Sequence, residues 1–179
     1  LETLGNVSNS VIVSIGAVKF NENELGEGFH CNVDIDSCLA YGLKVSGPTI
    51  RWWMDQSEEA RAVFQQNGLP LPEALERFSY FFGDAPEFWA HGVSFDESIL
   101  VNAYKACGMI PPWKFWGVMD YRTVKNMVPR SVFEACLRKP QVAHNALSDA
   151  EAQAQTLINL MKHIKVEEVS DSIKQSHVA

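Results

Sequence analysis

No apolar run in this chain approaches the ~20 residues needed to span a bilayer, so no transmembrane helix is expected. No charged n-region leads into an apolar stretch at the start, so no secretory leader is expected. Cysteine is sparse. Cys31, Cys38, Cys107 and Cys136 form neither a C-x-x-C pair nor a zinc-ribbon spacing. A secreted disulfide framework would be denser in a smaller chain, so the four read as free thiols in a reducing cytoplasm. Internal repeats, low-complexity tracts, collagen-like periodicity and sustained heptads are all missing. Basic charge is in deficit, with 15 Lys and Arg against 22 Asp and Glu, a net charge of −7. Taken as a total, that argues against a simple basic nucleic-acid-binding module.

What is present is a chain of 179 residues, 46% hydrophobic and 11% aromatic, enough for one domain with a sizeable core. Its charge is unevenly spread: residues 1–100 carry a net −10 and residues 101–179 a net +3. Ser10–Phe20 is β-branched and apolar and reads as a buried strand; a polar turn over Asn21–Gly26 leads to a second, antiparallel strand over Gly28–Ile35. Helices are expected at Pro48–Gln66, Leu71–Phe82, Phe95–Cys107, near Arg122–Met127 and at Leu147–Ile164, with short strands at Phe88–His91 and Gly117–Tyr121. Strands followed by alternating helices and strands predict an α/β fold, a mixed sheet flanked by helices on both faces. Such folds put sites at strand ends. One domain to about residue 165 is expected, then a loose polar tail over 166–179.

Three acids stand out because apolar sequence surrounds them. Glu2 lies in Leu1-Glu2-Thr3-Leu4-Gly5, before the strongest strand. Asp96 follows the strand Phe88–His91 and the turn at Gly92. Asp149 opens the last long helix, with His144 five residues earlier in a loop. Each has a plain alternative: a terminal glutamate for Glu2, and helix-start acids favoured by the macrodipole for Asp96 and Asp149. Five residues along a helix would separate His144 and Asp149 by about 140°; a loop position lets the histidine approach the acid from outside. Carboxylates and one histidine at strand ends suit a hard divalent cation, Mg²⁺ or Mn²⁺, rather than zinc. Like charges held together would repel until a metal entered.

Taken in order, E-T-x-G at Glu2–Gly5, G-x-x-F-D at Gly92–Asp96 and H-x-x-x-x-D at His144–Asp149 resemble the DEDDh 3'-5' exonucleases. Thr49-Ile50-Arg51-Trp52-Trp53 and Asp120-Tyr121-Arg122-Thr123 are similar to segments of the ribonuclease T and exonuclease VIII-like phage or bacterial subgroup. The likeness covers roughly residues 1–163. It implies a ribonuclease H-like mixed sheet and a two-ion mechanism with the metals about 4 Å apart. By position it implies Glu2, Asp96 and Asp149 as metal ligands and His144 as general base. Thr3, Leu4 and Phe95 would line the pocket for the 3'-terminal nucleotide. The family's first motif is D-x-E, which places a further aspartate immediately before Leu1. The expected reaction is release of nucleoside 5'-monophosphates from the 3' ends of single-stranded DNA or RNA. A homodimer would match the habit of relatives.

Three other readings stay open: a catalytically impaired nucleic-acid-binding relative, a metal-dependent phosphoesterase acting on small molecules, and a purely structural interaction domain. If nucleic acid is the partner, the charge split has a use. Lys105, Lys114, Arg122, Lys125, Arg130, Arg138 and Lys139 face only Asp120 and Glu134 between residues 101 and 144, and part of that strip would follow the phosphates. Trp113, Phe115 and Trp116 could stack bases, with core packing as the alternative.

Overall fold

A computed structural model describes residues 1–142 and 144–175, with side chains as far as Ile164. Three antiparallel strands, β1 (Glu2–Thr3), β2 (Ile12–Phe20) and β3 (Leu25–Asn32), are ordered β1-β2-β3. Asn21 closes the β2–β3 hairpin, its carboxamide oxygen accepting from the amides of Asn23 and Glu24. Glu2 stands opposite Ser14, and Ser14 opposite Asn32, so these three side chains share one face of the sheet.

The second strand ends earlier than the sequence suggests. Asp34 takes the amide of Ser37 on its carboxylate and starts a helix, α1 (Ile35–Ala40), that the alternating pattern concealed. The single helix expected over Pro48–Gln66 is three pieces: α2 (Gly47–Met54), α3 (Glu58–Arg61) and a 3₁₀ turn over Ala62–Gln65. The break comes at Ser57, whose hydroxyl caps α3 through the amide of Ala60. α4 (Leu71–Phe82) matches its expectation to the residue, burying Leu71, Ala74, Leu75, Phe78 and Phe82.

A second ladder follows: β4 (Phe88–Ala90), α5 (Asp96–Ala106) and β5 (Val118–Asp120), with β4 and β5 parallel. Hydrogen bonding therefore divides the expected sheet into a three-stranded and a two-stranded piece among the described residues. Then come α6 (Tyr121–Met127), α7 (Arg130–Cys136) and α8 (Ala146–Gln175). The backbone of α8 continues past Ile164, and positions 176–179 of the expected tail lie outside the described residues. Among the described residues no helix is long and apolar enough to cross a membrane.

The sheet is covered on both faces, as α/β architecture requires. On one face Phe29 packs against Phe78 and Phe81 of α4 at ring separations of 5.7 and 5.2 Å. On the other, α8 lies against β2 and β3. Gly16 makes that second contact feasible. A Cβ at this position would run into the backbone of Ala146 and Leu147, so only glycine lets α8 start directly on β2. Trp113 is a core residue, stacked on Phe88 at 4.5 Å. Its neighbours Phe115 and Trp116 remain exposed. The four cysteines are free.

Candidate active site

β1, α5 and α8 bring three of the singled-out acids to one end of the sheet. Ligand atoms of Glu2, His144 and Asp149 all lie within 4.8 Å of one another. Asp96, the first residue of α5, accepts the amine of Leu1, the residue before Glu2, at 2.9 Å, which puts it beside the start of β1.

The start of α8 is held by a local network. Asn145 accepts the amide of Ser148 on its side chain and the amide of Asp149 on its carbonyl, the usual work of an asparagine cap. Ser148 Oγ in turn accepts the amides of Gln141 and Val142, fastening the incoming loop to the first helical turn. Between these fastenings sits His144 with φ of +60°, a left-handed conformation uncommon outside glycine and typical of positions held for a purpose. Its ring meets Trp52 edge-to-face at 5.0 Å and Trp53 at 6.1 Å. Trp53 is buried and donates its indole N–H to the carbonyl of Thr3 at 2.9 Å. One tryptophan pair thus anchors β1 from behind and backs the imidazole. Trp52 is 44% exposed and borders the site.

The electrostatics are those of a site short of positive charge. Burial, reinforced by Asp149 and Asp96 and partly opposed by the Leu1 amine, pushes the Glu2 carboxyl up to about 7. Burial also raises Asp149 above the usual carboxylate range, with His144 and the Leu1 amine pulling the other way. The donor set of two carboxylates and an imidazole at this spacing fits a hard divalent cation. Asp96 stands outside that tight trio.

A pH prediction follows. Glu2 titrates higher folded than unfolded, so the fold favours its protonated form. Its contribution to metal-free stability is present in full below the ordinary carboxylate range and is lost as pH rises through about 7. The melting temperature of the metal-free protein should fall across that window, and Mn²⁺ should restore it most above pH 7. Glu2→Gln should flatten the metal-free profile and shrink the Mn²⁺ effect. A profile identical to the parent's would remove Glu2 from the site.

Of the expected nucleotide-pocket residues, Thr3 and Leu4 are buried and Phe95 is half-buried at the start of α5. Thr3 donates its hydroxyl to the carbonyl of Gly5 at 2.7 Å. Gly16, Trp52 and Ser148 escaped sequence reading as site-builders. Only Gly16 carried a signal, a lone glycine inside an apolar strand, which marks a close approach.

The fold and site define an α/β protein with an acidic cluster, flanked by a histidine, where three elements meet. Residues 1–161 match the 3'-5' exoribonuclease Rv2179c-like domain, and the chain belongs to that family. It is also similar, at 22% identity over 152 residues, to a protein of Enterobacteria phage T4 named exodeoxyribonuclease. That alignment covers 68% of this chain and 66% of the phage protein.

Proposed function

We propose that this chain is a DEDDh-type 3'-5' exonuclease domain of ribonuclease H-like fold, releasing nucleoside 5'-monophosphates from single-stranded 3' ends with Mg²⁺ or Mn²⁺. The observation that carries the reading is the convergence of Glu2, His144 and Asp149 within 4.8 Å, with Asp96 against the start of β1. Bound divalent ions would supply charge relief on the phosphoryl and leaving oxygens. Glu2, Asp96 and Asp149 hold them. His144 accepts the proton of the attacking water at a ring nitrogen, and Trp52 backs that ring. Thr3, Leu4 and Phe95 border the terminal nucleotide.

The family's description names RNA and the phage relative's name DNA, so the test uses both. The protein is incubated with Mn²⁺ and 5'-labelled DNA or RNA oligonucleotides, and the released product is identified. A ladder shortening from the 3' end with 5'-monophosphate release is expected. Release of 3'-monophosphates, or no shortening of either polymer, would overturn the reading. Asp149→Asn should abolish both the ladder and the Mn²⁺-induced rise in melting temperature; an unchanged Mn²⁺ titration would remove Asp149 from the ligand set.

A further inference from the structure

The basic residues do not share one environment. Arg77 and Arg130 are neutralised by Glu73 and Glu134, at 2.6 and 2.7 Å on their own helices. Arg122 and Lys125, like Lys105, Lys114, Arg138 and Lys139, form no ion pair among the described residues; Lys125 rests its ammonium over the Phe133 ring at 4.8 Å, and Arg122 stands out by its place against the Gly92 loop. The acid best placed to neutralise Arg122 is Asp120, two residues earlier, but its carboxylate is committed elsewhere. One oxygen accepts the amide of Thr123 at 3.1 Å and starts α6; the other accepts the amide of Val93 at 3.3 Å. Asp120 therefore fastens the loop that leads from β4 to Asp96, and it makes no ion pair with the guanidinium among the described residues.

That guanidinium lies across Gly92. A Cβ there would be 2.7 Å from Nη2, 3.0 Å from Cζ and 3.4 Å from Nη1, and Gly92 has φ of +96°. Its bond to the protein is one long contact, Nη2 donating to the carbonyl of His91 at 3.3 Å. Lys125 is three residues on, on the same side of α6, and both cations act electrostatically on His91, as Asp96 does with opposite sign. An exposed guanidinium with spare donors and no carboxylate, beside a second cation and next to the loop carrying Asp96, has the chemistry of a phosphate clamp.

We propose that Arg122 and Lys125 bind a backbone phosphate of the nucleic-acid strand whose 3' end enters the carboxylate cluster. This rests on the reading of that cluster as an exonuclease site, and it moves the expected phosphate contact away from Arg130, which Glu134 neutralises. The clamp would hold an internal phosphate, so it acts on polymers and not on a substrate with a single phosphodiester.

The test separates binding from chemistry. Affinity for a labelled single-stranded oligonucleotide is measured by fluorescence polarisation in EDTA, over a range of salt, for the parent and for Arg122→Gln with Lys125→Gln. Dissociation constants should rise about 10- to 100-fold, and the salt dependence should lose about one to two phosphate contacts. With Mn²⁺, hydrolysis of the p-nitrophenyl ester of thymidine 5'-monophosphate should be unchanged. Lys125→Gln alone leaves the contact over Gly92 intact and should weaken oligonucleotide binding in the same direction by a smaller factor. Unchanged oligonucleotide affinity in both variants would overturn the clamp. So would an equal loss on the small ester, which would make Arg122 a latch for the Gly92 loop. A parent that binds oligonucleotides through these two residues yet shortens none would keep the clamp and discard the exonuclease reading.

Discussion

Replacing His144 by alanine should lower turnover by about 10²–10⁴-fold, the range lost with a positioned general base, with little change in substrate affinity. The expectation comes from the effort with which the chain presents this ring. His144 is held at a positive φ, its loop is fastened by Ser148 on one side, and its imidazole is backed by Trp52. Its ring also lies within metal-ligand range of Glu2 and Asp149, so two roles must be told apart. A base leaves the Mn²⁺-induced shift in melting temperature intact in His144→Ala; a ligand takes much of that shift away with it. Turnover at the parent level in the variant would exclude both.

Gly16→Ala should be the most damaging single-methyl change in the molecule. The added carbon has nowhere to go, because its neighbours would be the backbone of Ala146 and Leu147 and not a side chain that could turn aside. Overpacking of a tight interior costs about 1–3 kcal/mol and occasionally more, and a backbone neighbour puts this site at the upper end. Since α8 would have to lift from β2, Asp149 and His144 would move away from Glu2. Circular dichroism should show a folded but less stable protein, and the Mn²⁺-induced stabilisation should disappear with the activity. Gly26 makes a useful control. A methyl group there would meet the Lys19 carbonyl at 3.3 Å near the hairpin turn, remote from the site, and Gly26→Ala should leave the Mn²⁺ response in place.

Legibility in the sequence followed how local the cause was. α4 could be read to the residue because its apolar spacing is helical and proline stands in its first turn. β2 and its hairpin were equally plain, since strand propensity and a polar turn agreed. α1 was missed because Asp34 starts a helix through one side-chain hydrogen bond, inside a stretch whose alternation imitates a strand. The helix drawn through Pro48–Gln66 failed for the same reason at Ser57. Around the candidate site, the element reading put Glu2 before β2, Asp96 at the start of a helix, and His144 in the loop ahead of Asp149 in the first turn of the last helix, as the structure has them. Periodicity could not show that Trp52 would meet the imidazole, since that depends on two segments meeting across the fold. Nor could a count of charges tell Arg122 from Arg130; the difference lies in what Asp120 and Glu134 are bonded to.

The two amides that Ser148 receives link the proposed base and the proposed ligand in time as well as in space. Gln141 and Val142 can release their protons to solvent only when the Ser148 hydroxyl lets go, and Ser148 sits in the helical turn that carries Asp149. Opening of that turn frees the histidine loop in the same event. Amide hydrogen exchange at Gln141, Val142 and Asp149 should therefore share one opening free energy, slowed together when Mn²⁺ is added. If that shared value is measured, the start of α8 moves as one part, and the cation site and its base assemble and come apart together.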